Sequence, residues 1–364
     1  METILGNDRD QAVQIIAEIG TAHQGSLDKA EKLIQAAADS GADCAKFQIV
    51  FADEIIHPLT GTVKLPGGET PLYDVFKGLE RDVKFYRELK SITESCGLEF
   101  LASPFGLKSA RIMKQIDSKR IKIASPELNH YPLLKEVKSY NRELILSTGV
   151  STLGDIEEAL KITGQKNVSL LHCITAYPAP PEEYNLRLIP LYSQLFGVKT
   201  GISDHSIDPL LVPLLSTAMG ATIIEKHFTL SNTSDGLDDP IALNPQDFSL
   251  MVKEVRAAEM KSPENIISDL SERFTPLLIN SIIGTGEKKM APAEKENYKR
   301  TNRSVHALTK LKEGTVLTER NCALLRTEKK LRPGIQPLYF QLILGKRVIK
   351  EIPSGEGIRW QDLI

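Results

Sequence analysis

Short apolar runs recur along the first three-quarters of the chain, separated by polar and turn-forming stretches. Eight of them read as strands: Gln14–Ile19, Cys44–Ile49, Glu99–Ala102, Arg120–Ala124, Leu144–Ser147, Val168–His172, Val198–Ile202 and Thr222–Lys226. Each is apolar and often β-branched, the composition of a strand buried on both faces. Between them lie helical patterns. Leu27–Ala38 and Ile156–Ile162 carry apolar residues at three- and four-residue spacing, and Thr152 and Asp155 are placed to cap the second. Eight β–α units at roughly 20–30-residue spacing predict a (β/α)8 barrel of about 250 residues. A doubly wound open sheet shares this periodicity, but the count of eight and the polar residues at the strand ends favour a closed barrel.

One gap is longer. His57–Glu80 contains Pro58, Pro66, Gly67, Gly68 and Pro71, so it is expected to be a long loop on the face of the barrel that carries active sites. After the eighth helix the pattern changes. Gly284-Thr285-Gly286 leads into the polar stretch Lys288–Arg303, which reads as a linker. The Gly-x-Gly follows a helical stretch and lacks a third glycine, so it argues against a dinucleotide site. Turn signals then break the chain into short strands. The expected division is a barrel over 1–284, a linker over 285–303 and a small β-rich domain over 304–364.

Composition narrows the class. In 364 residues there are 45 Lys and Arg against 47 Asp and Glu, so no basic excess points to nucleic acid. Residues 303–364 hold 12 Lys and Arg against 6 Asp and Glu, which would draw an anionic substrate toward that domain. Cys44, Cys96, Cys173 and Cys322 show no paired spacing and read as free thiols of a reducing compartment. METILGNDRDQ lacks the apolar run of a signal peptide, and no stretch suits a membrane helix. A cytoplasmic enzyme is expected.

The strand ends carry the chemistry. They supply Glu18 and His23, then Lys46 and Gln48, then Lys122 and Ser125, then Ser147 and Thr148. Later ends supply Thr175 and Tyr177, Ser203 and His205, and Glu225 and His227. Two lysines and several hydroxyls aimed at one mouth make an anion site, because a phosphate or carboxylate needs several donors and compensating charge. Two histidines ending consecutive strands, with Glu225 nearby, suit a divalent metal with open positions.

In order along the chain, IIAEIG-x-x-H, KFQ, SPF, KIAS, STG, LLHC, YPAPPE, SDH, EKHF and GTGEKK resemble the sialic acid synthase family. LTERN and LGKRVIKEIPSGEGI resemble its C-terminal antifreeze-like (SAF) domain. The resemblance spans nearly the whole chain and implies a phosphoenolpyruvate-condensing enzyme acting on an N-acylated amino sugar such as N-acetylmannosamine. The same chemistry on a sugar 6-phosphate or a 2,4-diacetamido sugar, as in legionaminate, pseudaminate or spore-coat polysaccharide synthesis, stays open.

By this resemblance Lys46, Lys122, Ser125, Ser147 and Ser203 would hold phosphoenolpyruvate. His205 and His227 would hold Mn2+, with Mg2+ or Co2+ as substitutes. Glu18, Gln48, Tyr177, Glu225 and Asp238 would contact the sugar or metal-bound water, and Glu18 or Glu225 would handle the proton. The family's homodimer exchanges its small domains, so that an arginine covers the partner's barrel. Arg326 matches by spacing from Asn321, and Arg332 by its Arg-Pro-Gly motif. The chain departs from the family at Ala22, Gln24, Pro126 and Thr175, and His57–Glu80 has no match for the sugar-binding asparagine. Thr175 and that loop bear on which acceptor is taken.

Overall fold

The structure, a computed structural model, describes residues 12–65, 68–234 and 236–364. Residues 1–11, read above for a signal peptide, and Pro66 and Gly67 of the long loop lie outside the described residues. Twelve strands are described. They are β1 (Gln14–Gly20), β2 (Cys44–Ile49), β3 (Thr62–Leu65), β4 (Gly68–Pro71), β5 (Glu99–Pro104) and β6 (Arg120–Ile123). The rest are β7 (Glu143–Ser147), β8 (Val168–Cys173), β9 (Lys199–Asp204), β10 (Ile223–His227), β11 (Arg303–Ala307) and β12 (Cys322–Arg326).

Eight of these form one parallel sheet in the order β5-β2-β1-β10-β9-β8-β7-β6. Its two end strands, β5 and β6, pack side by side where the sheet curls into a barrel, as the eight runs predict. The two-residue period of a strand sorts side chains into an outer and an inner set. Ile15, Ala17, Ala45, Phe47, Leu144, Leu146 and Ile224 face the helices and join the main core. Ile16, Cys44, Leu101, Ile145, Leu171 and Ile223 face the axis and form a dry layer inside the barrel. Below it Arg120 closes the base, its Nε and Nη2 each 2.6 Å from a Glu99 carboxylate oxygen.

Two residues further along each strand, the inner position becomes polar. Glu18 follows Ile16, Lys46 follows Cys44, Ser147 follows Ile145 and Glu225 follows Ile223. The apolar layer thus acts as a floor that holds a charged layer at the carboxyl ends of the strands. Close packing there depends on Gly201, where a Cβ would lie 2.2 Å from the Ile223 carbonyl oxygen.

The helices follow their sequence cues. Ser26 caps the helix Leu27–Asp39, accepting from the Lys29 N–H. Thr152 and Asp155 form a reciprocal capping box on Leu153–Thr163, as their spacing predicts.

The 57–80 segment needs correction, because it is not a simple loop. β3 and β4 pair as an antiparallel hairpin, and a helix spans Leu72–Leu79. Val63, Tyr73, Phe76 and Leu79 pack on a cluster of Val50, Ile55, Ile56, Leu72 and Phe105. Burial of that face drives the order, at about 1.5–3 kcal/mol for each fully buried large side chain.

The C-terminal segment has its own small core of Val305, Leu311, Leu317, Ile343, Val348, Ile352 and Ile358. It sits on the barrel through the 57–80 segment and through one arginine. Thr60 Oγ1 donates to the Thr327 carbonyl at 2.9 Å, and the Lys330 N–H donates to the Thr60 carbonyl at 3.0 Å. Arg303 is fully buried at the start of β11. Its Nε lies 2.6 Å from Glu127 Oε2, and it donates to the carbonyls of Glu54, Phe105 and Leu324. A guanidinium removed from water needs all its donors matched. Here barrel and small domain match them jointly.

Candidate active site

At the mouth of the barrel four charged side chains alternate in sign. Lys46 Nζ lies 2.6 Å from Glu18 Oε2 and 3.6 Å from Glu225 Oε2. Lys122 Nζ lies 3.7 Å from Glu225 Oε1. All four are nearly sealed from solvent. Two cations and two carboxylates leave the ring close to neutral, so each lysine can turn from a carboxylate toward an incoming anion.

Short polar side chains hold the ring in place. Gln48 Nε2 donates to Glu18 Oε1 at 2.9 Å. Ser203 Oγ donates to Glu225 Oε1 at 2.8 Å. Lys122 Nζ donates to Ser147 Oγ at 2.6 Å. Burial works against the Glu225 charge, but Lys122 and Lys46 outweigh it and hold the carboxyl down to about 2. Burial dominates at Lys122 and lowers its pKa. At Lys46 burial also opposes the charge, but Glu18 and Glu225 prevail and raise the pKa.

Beside this ring the ends of β6, β7 and β8 form a narrow polar shelf. Ser125 Oγ accepts from the Gly149 N–H at 3.0 Å. A Cβ at Gly149 would meet Thr175 Oγ1 at 2.1 Å and Ser125 Oγ at 2.9 Å, so glycine lets the two hydroxyls approach. Glu294 is buried under the shelf and accepts from the N–H groups of Val150 and Thr175 at 2.7 and 2.8 Å. Lys288 Nζ is buried without a hydrogen-bond partner. Burial lowers its pKa, with Glu294 and Cys173 as its nearest opposing charges. A buried ammonium with no bonded acceptor among the described residues is free to donate to an anion.

Next to the shelf His205, just past β9, and His227, at the end of β10, have ring centroids 5.4 Å apart. Tyr177 stacks on His205 at 4.3 Å. His205 Nδ1 is 2.8 Å from the Ile174 carbonyl oxygen, so Nδ1 carries the proton and Nε2 is the nitrogen left for a ligand. Burial pushes His227 down to about 3, with His205 and Lys46 adding to the effect and the nearby carboxylates opposing it. At His205 burial also opposes the charge, but Cys173 outweighs it and raises the ring to about 9. A metal would have to displace that proton, because a neutral imidazole is the metal-binding form. Asp238 Oδ2 lies 3.8 Å from His227 Nδ1. Among the described residues no group of three or more His, Cys, Asp or Glu side chains is arranged around one point. Two imidazoles alone would hold a divalent cation only with its remaining ligands taken from water and substrate.

The structure brings Glu18, Lys46, Gln48, Lys122, Ser147, Ser203 and Glu225 into one ring, with Ser125, Tyr177, His205, His227 and Asp238 around it. Arg326 lies at its edge, with Nη2 2.7 Å from Glu127 Oε1 and the guanidinium 5.2 Å from the Phe105 ring centroid. Arg332 is elsewhere. It binds Asp362 and the Gly357 carbonyl inside the small domain, so of the two arginines Arg326 is the one at the barrel.

Glu127, Arg303, Glu294 and Lys288 escaped the sequence reading. Glu127 had a signal, since it lies two residues beyond Ser125 at a strand end. Arg303 and Glu294 were hidden in a polar stretch that reads as linker.

The NeuB family model matches residues 33–266, and the SAF domain model matches residues 302–364. The chain belongs to the NeuB family and carries a C-terminal SAF domain. It is 35% identical to an N,N'-diacetyllegionaminic acid synthase of Campylobacter jejuni, over 95% of this chain and 98% of that one. It is 30% identical to the human N-acetylneuraminate-9-phosphate synthase, over 94% and 90%. The solved structure of a spore coat polysaccharide biosynthesis protein from Bacillus subtilis aligns with a TM-score of 0.80 at 33% identity, covering 98% of this chain and 96% of that one.

Proposed function

We propose that this protein condenses phosphoenolpyruvate with an N-acylated amino sugar and water, giving a nonulosonic acid and inorganic phosphate. It is a C–C bond-forming transferase of the NeuB type. The observation that carries the reading is the buried Lys46–Glu225–Lys122 array beside the paired rings of His205 and His227. One half suits an anionic nucleophile, and the other suits the carbonyl it attacks.

Lys46 and Lys122 bind the carboxylate and phosphate of phosphoenolpyruvate, with Ser125, Ser147, Ser203 and Lys288 supplying further donors. His205 and His227 hold a divalent cation, Mn2+ in the first instance, which when bound supplies Lewis acidity toward the acceptor's carbonyl oxygen. Tyr177, Gln48 and Asp238 orient the open-chain sugar. C3 of phosphoenolpyruvate forms a bond to the aldehyde carbon, and its C2=C3 electrons move into that bond. Water then adds to the electron-poor C2. Its proton passes to Glu225 or Glu18, both within the ring. The bond between C2 and the phosphate oxygen breaks, and phosphate departs. Lys46 and Lys122 stay beside the anionic groups through each step, as preorganised electrostatic partners.

We extend this reading to a cytoplasmic homodimer with exchanged small domains. The Arg326–Glu127 contact made here within one chain is the contact that such an exchange would make between two. No helix among the described residues is long and apolar enough to cross a membrane.

The test is mass spectrometry of products from phosphoenolpyruvate, Mn2+ and a panel of N-acetylmannosamine, its 6-phosphate and 2,4-diacetamido-trideoxyhexoses. One acceptor should gain the three carbons of pyruvate. A folded enzyme that extends none of them would overturn the reading.

A further inference from the structure

A crevice of about 430 Å³ opens where the barrel, the connecting segment and the small domain meet, on a face formed by residues that the condensation does not use. Its walls are aromatic. Tyr131 comes from the barrel, Tyr298 from the connecting segment, and Tyr339 and Trp360 from the small domain. Tyr339 and Trp360 meet edge to face at 5.4 Å. Both are well exposed, Trp360 at 47%. An exposed tryptophan and tyrosine lining a concave site offer a stacking surface that nothing among the described residues fills.

The crevice runs into a second groove of about 530 Å³ through two shared residues, Pro333 and Arg359. This groove is basic. Arg300, Lys330, Arg332 and Arg359 line it, with Glu356 as its one carboxylate. Arg332 is partly committed, to Asp362 and Glu356. Arg359 and Lys330 make no ion pair among the described residues, and Lys299 at the crevice mouth lies 5.5 Å from the Tyr298 ring centroid. Asp155 is the crevice's one carboxylate.

We propose that this joint crevice and groove is a binding site for a nucleoside polyphosphate. The argument is the match of two unlike halves. A flat base stacks on Trp360 and Tyr339, and its exocyclic amino group can donate to Asp155. The phosphates extend past Arg359 into the basic groove, where guanidinium forks suit phosphate oxygens. A bare anion would leave the aromatic surface unused, and a neutral sugar would leave the arginines unused. Because the crevice is walled by both domains, an occupant bridges them and favours the docked small domain that sets Arg326 over the barrel. The site therefore couples a nucleotide to the closed form of the enzyme.

Trp360 is the chain's single tryptophan, so fluorescence excited selectively in tryptophan reports on this crevice. The purified full-length protein would be titrated with ADP, CDP, GDP and UDP. Inorganic pyrophosphate and the free nucleosides would serve as half-ligand controls. The expected result is saturable quenching by at least one diphosphate at submillimolar concentration. Arg359→Ala should weaken it about tenfold or more while leaving the circular dichroism spectrum unchanged. Equal response to pyrophosphate would overturn the proposal in favour of a bare polyanion site. No saturable quenching by any nucleotide up to several millimolar, or affinity unaffected by Arg359→Ala in the folded protein, would also overturn it. The readout does not involve phosphoenolpyruvate, so it stands or falls apart from the condensing activity.

Discussion

Lys226 Nζ lies 2.6 Å from Asp204 Oδ2, and both side chains are sealed from solvent. Each is next in sequence to a histidine of the proposed metal pair, Lys226 to His227 and Asp204 to His205. Asp204 Oδ1 also accepts from Tyr184 Oη at 2.6 Å, and Tyr184 Oη in turn accepts from the His205 N–H at 2.8 Å. The pair therefore clamps β9 to β10 at the point where the two rings leave the barrel.

Removing one partner leaves the other charge buried without compensation. Lys226→Met should cost about 3–5 kcal/mol of stability, read from urea unfolding at neutral pH. It should also weaken binding of Mn2+, measured by titration calorimetry, by about 10- to 100-fold, as expected when a group that orients metal ligands is lost. Unchanged stability and unchanged metal affinity would show that the clamp is idle.

Lys122 and Lys46 differ in surroundings but share the anion. Lys122→Met and Lys46→Met should each lower turnover by about 100- to 1,000-fold, the range for loss of a preorganised charge. Removing Lys122 frees Glu225 from a neighbour that holds it ionised, so the acidic limb of the pH–rate profile should move to higher pH. Steady-state kinetics over pH 5–9 checks both statements.

Glu127 makes the docking of the small domain depend on pH. Burial pushes its carboxyl up, but Arg303 and Arg326 outweigh burial and hold it well below the usual carboxylate range. A carboxylate depressed on folding stabilises the protein above its unfolded pKa, and that contribution is lost as pH falls through the folded value. Glu127→Gln should therefore lower the melting temperature at pH 7. The gap from wild type should narrow as pH falls below the ordinary carboxylate range. A gap constant from pH 7 to pH 3 would contradict this.

If small domains are exchanged between subunits, two inactive variants should rescue one another. Lys122→Met mixed with Arg326→Ala, unfolded and refolded together, should regain up to about a quarter of wild-type activity, since a mixed dimer pairs one intact barrel with one intact arginine. Sedimentation velocity should show a dimer throughout. Strictly intramolecular docking predicts no rescue.

The barrel was legible because burial on both faces writes strands such as Val168–Cys173 as unbroken apolar runs, and because charged residues ending such runs have few structural uses. His205 and His227 stood out for the same reason. The segment 57–80 was less readable. Leu72, Val75, Phe76 and Leu79 do have helical spacing, but the surrounding Pro and Gly outweighed it, and its partners Ile55 and Phe105 are distant in sequence. Arg303 was unreadable for a related reason. A polar residue in a polar stretch gives no sign of burial until Glu127, 176 positions earlier, is brought against it.

The central claim is tested most directly by following phosphate release in water enriched in oxygen-18. The account predicts release that requires both a divalent cation and the acyl-amino sugar, with unlabelled phosphate, because water adds at C2 and the carbon–oxygen bond breaks. Labelled phosphate, or release that ignores the acceptor, would mean that water attacks phosphorus and that this barrel does not make the carbon–carbon bond.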